Sequence, residues 1–71
     1  MPSLRQARER RGWTLADMAR HAGINPKTLW YVESGVRVPR VSTAARIAAA
    51  LGDGWTAYGV RQAALGGGAG G

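Results

Sequence analysis

Apolar and polar positions along the chain fall into short runs of helical period, separated by glycine, proline and small capping residues. The clearest run lies between Gly23 and Gly35. On a repeat of about 3.6 residues, Leu29 and Val32, with Ile24 just upstream, make one apolar side. Lys27, Trp30, Tyr31 and Ser34 follow one another at helical spacing on the other side. Asn25 is a strong N-cap, and Pro26 suits the first helical position because its missing N–H costs nothing there. Gly35 supplies a stop, so the pattern predicts a helix over 26–34. Two large aromatics facing water are costly unless a partner covers them. This helix is therefore expected to touch the partner.

The flanking segments read in the same way. Ser3, with Pro2 just outside, can cap a first helix over 4–11, which Gly12 ends. Leu4, Ala7 and Arg8 share its inner face, while Arg5, Glu9 and Arg11 are expected to point outward. An inward Arg8 needs a partner, unless its stem lies over the core with the head in water. In the second helix Thr14 is the N-cap, Asp17 makes an acidic capping box, and Trp13 can staple onto Met18. Met18 and Ala19 face inward, and Arg20 and His21 occupy the last turn. Gly23 closes that turn and Ile24 plugs the corner. Glu33 opposes the dipole at the end of its helix, and Arg8 is the available cation to offset it.

A fourth helix over 41–51 is dominated by alanine, with Val41, Ile47 and Leu51 as its larger apolar side chains and Arg46 outward. Alanine favours helix but buries little area, so modest stability is expected. Trp55, Tyr58 and Val60 suggest a fifth helix over 55–65, interrupted by Gly59. Residues 66–71 are five glycines and one alanine, a composition expected to be a disordered tail behind a domain over 1–65.

Composition narrows the function classes. Seventy-one residues make one small domain, with no room for a separate catalytic unit. Cysteine is absent, and His21 has no second ligand at metal spacing, so neither a disulfide framework nor a metal site is expected. No run approaches a membrane span and the first residues lack a secretory pattern, which predicts a soluble, cytoplasmic protein. Paired carboxylates, an activated nucleophile and a phosphate-cradling glycine loop are all missing, so no enzyme, cofactor or small-molecule substrate is expected. Ten cations against four acids give a net charge of +6, and nine of the ten lie between Arg5 and Arg46. That bias points to a polyanion.

With these residues in view, the run from Leu4 to Gly52 resembles the helix-turn-helix domain of the phage repressor and Cro family, called Xre-like. The resemblance is carried by Leu4 and Arg8, Gly12, Thr14, Met18-Ala19, Gly23-Ile24, Leu29, Val32-Glu33, Gly35, Pro39, Ile47-Ala48 and Leu51-Gly52. It implies an all-α, lambda-repressor-like bundle of four to five short helices with the third in the major groove of double-stranded DNA. It further implies an Arg8–Glu33 ion pair. Base reading then falls to Pro26, Lys27, Trp30 and Tyr31, and phosphate contacts to Thr14, Thr28, Ser34, Arg37 and Arg40. Arg37 and Arg40 flank Pro39 in a loop that, in the family, runs along the sugar–phosphate backbone.

Two departures from the family stand out. Leu15 occupies a place usually held by a glutamine that braces the reading helix. The reading face carries a cation and aromatics instead of small polar groups. Lys27 can donate to guanine, while Trp30 and Tyr31 can pack on thymine methyls or sugars; alternatively one aromatic folds back over a thin core. Trp55 and Tyr58 are candidate homodimer contacts, or caps on the domain's own core. The expected function is a sequence-specific DNA-binding transcriptional regulator, repressor or activator. The rival is an antitoxin-like or adaptor module that presents Trp30 and Tyr31 to another protein.

Overall fold

Local capping chemistry sets where the helices of the computed structural model begin; the structure describes residues 3–67. They run α1 (Leu4–Glu9), α2 (Leu15–Ala22), α3 (Pro26–Glu33), α4 (Val41–Leu51) and α5 (Ala57–Gly67), an all-α arrangement with no strand among the described residues. Ser3 Oγ accepts the Gln6 N–H at 3.1 Å, while Gln6 Oε1 accepts the Ser3 N–H at 3.0 Å. Thr14 and Asp17 repeat this reciprocal box for α2, at 3.1 and 2.9 Å. Asn25 Oδ1 takes the Lys27 N–H at 2.8 Å and starts α3. Each such cap is worth about 1 kcal/mol. No helix among the described residues is long and apolar enough to cross a membrane.

The Thr14 N–H and hydroxyl hold the Asp17 carboxyl below its ordinary value of 3.8, with Arg20 adding to the effect. A carboxyl depressed in the folded state contributes stability above the unfolded value, and that contribution is lost as pH falls through the folded one. Wild type should therefore lose part of its thermal stability on acidification below pH 3.8. Asp17→Asn should remove that share of the loss. Melting curves of both proteins down to pH 2, on the order of two units below the carboxylate range, check it; parallel acid limbs would contradict it.

Among the described residues thirteen buried apolar side chains form the core, and six of them are alanines: Ala7, Ala19, Ala22, Ala44, Ala48 and Ala64. Small side chains let helices approach closely but remove little apolar area from water. The larger side chains sealed inside are Leu4, Met18, Leu29, Val32, Ile47 and Val60. α4 lies at the centre, packed most extensively on α5 and then on α2. Trp13, Leu15, Ile24 and Trp55 cover the core from outside.

Several expectations change here. α1 ends at Glu9, two residues early, and Arg11 is half-buried instead of outward. Its guanidinium donates to the Ala7 carbonyl at 2.6 Å, to the Leu51 carbonyl, and to Asp53 Oδ2 at 2.8 Å. Arg11 thus satisfies a free carbonyl at the end of α4, where a cation also suits the dipole. Val41 is exposed and leaves the α4 core to Ala44, Ile47, Ala48 and Leu51. α5 starts at Ala57, not Trp55, and passes through Gly59 without interruption, because Thr56 Oγ1 accepts the Gly59 N–H at 3.0 Å. It runs to Gly67, so Gly66 and Gly67 are helical. The rest of the tail expected over 66–71, residues 68–71, lies outside the described residues, as does Pro2.

Candidate nucleic-acid interface

The turn between α2 and α3 rests on Gly23, whose φ of 69° is open to a residue without Cβ. Its N–H reaches the Arg20 carbonyl, and the Ile24 N–H reaches the Ala19 carbonyl at 3.0 Å. That crossed pair satisfies the end of α2 and turns Ile24 onto the core. α3 closes in the same manner at Gly35, φ 74°, with the Val36 N–H on the Tyr31 carbonyl at 3.0 Å. The Arg37 N–H reaches that same carbonyl at 3.3 Å. The start of the following loop is therefore fixed to the last turn of α3.

A buried ion pair sets the rotation of α3. Glu33, with a side chain 2% exposed, receives Arg8 as a fork: Nε to Oε2 at 2.8 Å and Nη2 to Oε1 at 3.1 Å. The third guanidinium nitrogen donates to the Trp13 carbonyl at 3.0 Å. The bond to Glu33 holds the Arg8 guanidinium above its ordinary value, against the opposing effect of burial. One arginine from α1 thereby ties the end of α3 to the chain entering α2. Among the described residues, no buried side-chain polar atom lacks a partner.

With Leu29, Val32 and Glu33 buried, the opposite side of α3 is left to solvent. Pro26, Lys27 and Thr28 are exposed, Trp30 is 49% exposed, and Tyr31 and Ser34 are half-buried. Trp30 does not fold over the core; its ring meets Tyr31 edge-on at 5.3 Å. Tyr31 carries two cations: the Lys27 ammonium 5.9 Å from the ring centre and the Arg37 guanidinium at 5.1 Å. Such contacts contribute about 0.5–1 kcal/mol at exposed sites, enough to bias where each side chain rests. Lys27, Trp30, Tyr31 and Arg37 form one contiguous cluster.

The loop after α3 is anchored as well. Pro39 is buried and its carbonyl accepts Arg61 Nε from α5 at 3.1 Å, while Arg37 and Arg40 on either side are exposed. Thr14 has its hydroxyl oxygen engaged by the Asp17 N–H, yet the residue stays exposed at the start of α2. Trp55 and Tyr58 part company. Trp55 is half-buried against the core, whereas Tyr58 is 72% exposed on α5. Leu15 packs on the core, so no polar brace reaches α3 from that position.

A family model described as a helix-turn-helix domain matches residues 3–52, the stretch that holds α1 to α4. The chain belongs to the helix-turn-helix family. The Xre-like resemblance of the sequence agrees with this. The chain is similar to uncharacterized HTH-type transcriptional regulators of Mycobacterium bovis and of two strains of Mycobacterium tuberculosis. Each is 40% identical over 50 residues, covering 70% of this chain. The match spans only 20% of those relatives' own length. No solved structure matches the chain.

In this helix-turn-helix protein the charges sort by partner. Glu33, Asp17 and Asp53 engage Arg8, Arg20 and Arg11. The net charge of +6 therefore rests on the other seven cations, of which Arg5 also lies 3.9 Å from Glu33, set against Glu9. Of those seven, Lys27, Arg37 and Arg40 lie on α3 or the loop that leaves it. Sequence reasoning missed two contributors. Arg11 reads in sequence as a solvated charge, since nothing local announces acceptors 40 and 42 positions away. In sequence Asn25 reads only as a cap, yet it is exposed at the head of α3, and among the described residues its NH2 group has no partner. Its place immediately before the outward face of α3 is the available signal.

Proposed function

We propose that this domain is a sequence-specific, double-stranded DNA-binding transcriptional regulator. α3 enters the major groove, and the 35–40 loop runs along the phosphates. The observation that carries this reading is the outward cluster of Lys27, Trp30, Tyr31 and Arg37 on the second helix of a helix-turn-helix. The second helix of that motif is the one that reads base edges. The family and the regulators it resembles support the same reading. Lys27, Trp30, Tyr31 and Pro26 meet base edges, and Thr14, Thr28, Ser34, Arg37 and Arg40 hold phosphates.

Selection of bound duplexes from a random library tests the proposal. One enriched sequence is expected, with affinity that falls steeply with salt, by a log–log slope of about −0.9 per neutralised phosphate. Arg40→Ala should weaken binding to all duplexes alike and flatten that slope by about 1. A loss confined to one sequence would contradict a phosphate role. A palindromic product would support a homodimer on DNA, for which Tyr58 offers an exposed aromatic on α5. The half-exposed Trp30 also favours a second reading, an adaptor or antitoxin-like module that docks a protein. Salt-indifferent binding with no enriched duplex would select it.

A further inference from the structure

The reading face of α3 is rich in donors and poor in acceptors, and this bears on which bases it can distinguish. Lys27 and Arg37 donate only, and the Trp30 indole N–H donates only. Asn25 is the one amide nearby, and its Oδ1 already accepts the Lys27 N–H at 2.8 Å, which leaves its NH2 free to donate. The single carboxylate of the helix, Glu33, is buried and consumed by the Arg8 fork. No aspartate, glutamate or glutamine stands on the exposed side of α3. The acceptors left are the second lone pair of Asn25 Oδ1, whose first is turned to the helix N–H, and the hydroxyls of Thr28, Tyr31 and Ser34, which serve donor and acceptor partners equally.

In the major groove, guanine presents two acceptors, O6 and N7, and thymine presents the acceptor O4 beside a methyl group. Adenine N6 and cytosine N4 are donors, best discriminated by an amide or a carboxylate. The ring edges of Trp30 and Tyr31 add apolar surface suited to a methyl. Arg37 is held over the Tyr31 ring at 5.1 Å, and its N–H is fixed to the Tyr31 carbonyl, so a second cation stands beside Lys27. We infer that the duplex recognised by this face carries keto bases, guanine and thymine, on the strand that α3 contacts. Lys27 selects guanine, Trp30 and Tyr31 select the thymine methyl, and Arg37 holds the Tyr31 ring from the phosphate side. This inference rests on the DNA-binding reading proposed above.

The test uses the full chain and the duplex enriched from a random library. Guanine and thymine should dominate one strand of the contacted positions. Replacing a contacted guanine by 7-deazaguanine removes N7 and should weaken binding about tenfold. Replacing a contacted thymine by uracil removes the methyl and should weaken it severalfold. Lys27→Gln returns an acceptor to the face and should shift the preferred base at one position from guanine to adenine. Lys27 is exposed, and far-UV circular dichroism identical to wild type keeps that variant interpretable. An enriched duplex indifferent to both analogues, or contacted through adenine N6 or cytosine N4, overturns the inference while DNA binding stands. Failure to enrich any duplex overturns both.

Discussion

Arg8→Ala should lower the free energy of unfolding by about 3–5 kcal/mol, the cost of leaving a buried carboxylate without its cation. A chain of this length holds roughly 4–10 kcal/mol in total, so the variant should lose roughly a third or more of its stability. The substitution removes two bonds to Glu33 and one to the Trp13 carbonyl, and α1, α3 and the approach to α2 all lose a tie. Arg8→Lys keeps the charge but not the fork, and should lie between wild type and alanine. Replacing both partners, Arg8→Met with Glu33→Met, removes the orphaned charge and should recover most of the loss. Urea denaturation of the four proteins checks the series. An Arg8→Ala midpoint equal to wild type would refute a stabilising pair.

Lys27→Ala and Tyr31→Ala should each weaken binding to the selected duplex about 5- to 150-fold, corresponding to roughly 1–3 kcal/mol for a good base contact. Neither should shift the unfolding midpoint much, since Lys27 is exposed and Tyr31 sits on the outer side of α3. Affinity for random duplex should change far less, because phosphate contacts supply that part. Tyr31→Ala also removes the ring on which Lys27 and Arg37 rest. The effects of Tyr31→Ala and Arg37→Ala should therefore be non-additive, with a coupling of at least about 0.5 kcal/mol. Tyr31→Phe keeps the ring and separates its share from that of the hydroxyl. Fluorescence anisotropy on specific and random duplexes supplies the measurements. Wild-type affinity for the selected duplex in both alanine variants would rule out α3 as the reading helix.

The parts of this fold legible in the sequence are those whose causes are local. Ser3, Thr14 and Asn25 satisfy N–H groups two or three residues ahead, and Gly23 and Gly35 close helices through bonds spanning one turn and a half. The outward set on α3 follows from helical spacing alone. Arg8 and Glu33 were linked through the dipole conflict at Glu33 together with the family resemblance, although 25 positions separate them.

What escaped depends on how the chain returns on itself. Arg61 bonds to a backbone carbonyl, as does Arg11 at two of its three acceptors, and every residue offers a carbonyl, so no residue type marks those partners. The Arg37–Tyr31 stack depends on the path of the turn after α3. Gly59 looked like a break because its helix propensity is poor, by about 1 kcal/mol against alanine. Thr56 at the start and burial of Val60 and Ala64 outweigh that deficit.

The six alanines of the core also set how this domain responds to temperature. Newly wetted apolar surface is what gives unfolding its large heat-capacity increment, typically about 12–15 cal/mol/K per residue. An interior built so largely of methyl groups exposes less of it, so the increment here should fall toward or below the lower end of that range. The stability curve then bends gently: its summit is low, but it declines slowly on cooling as well as on warming.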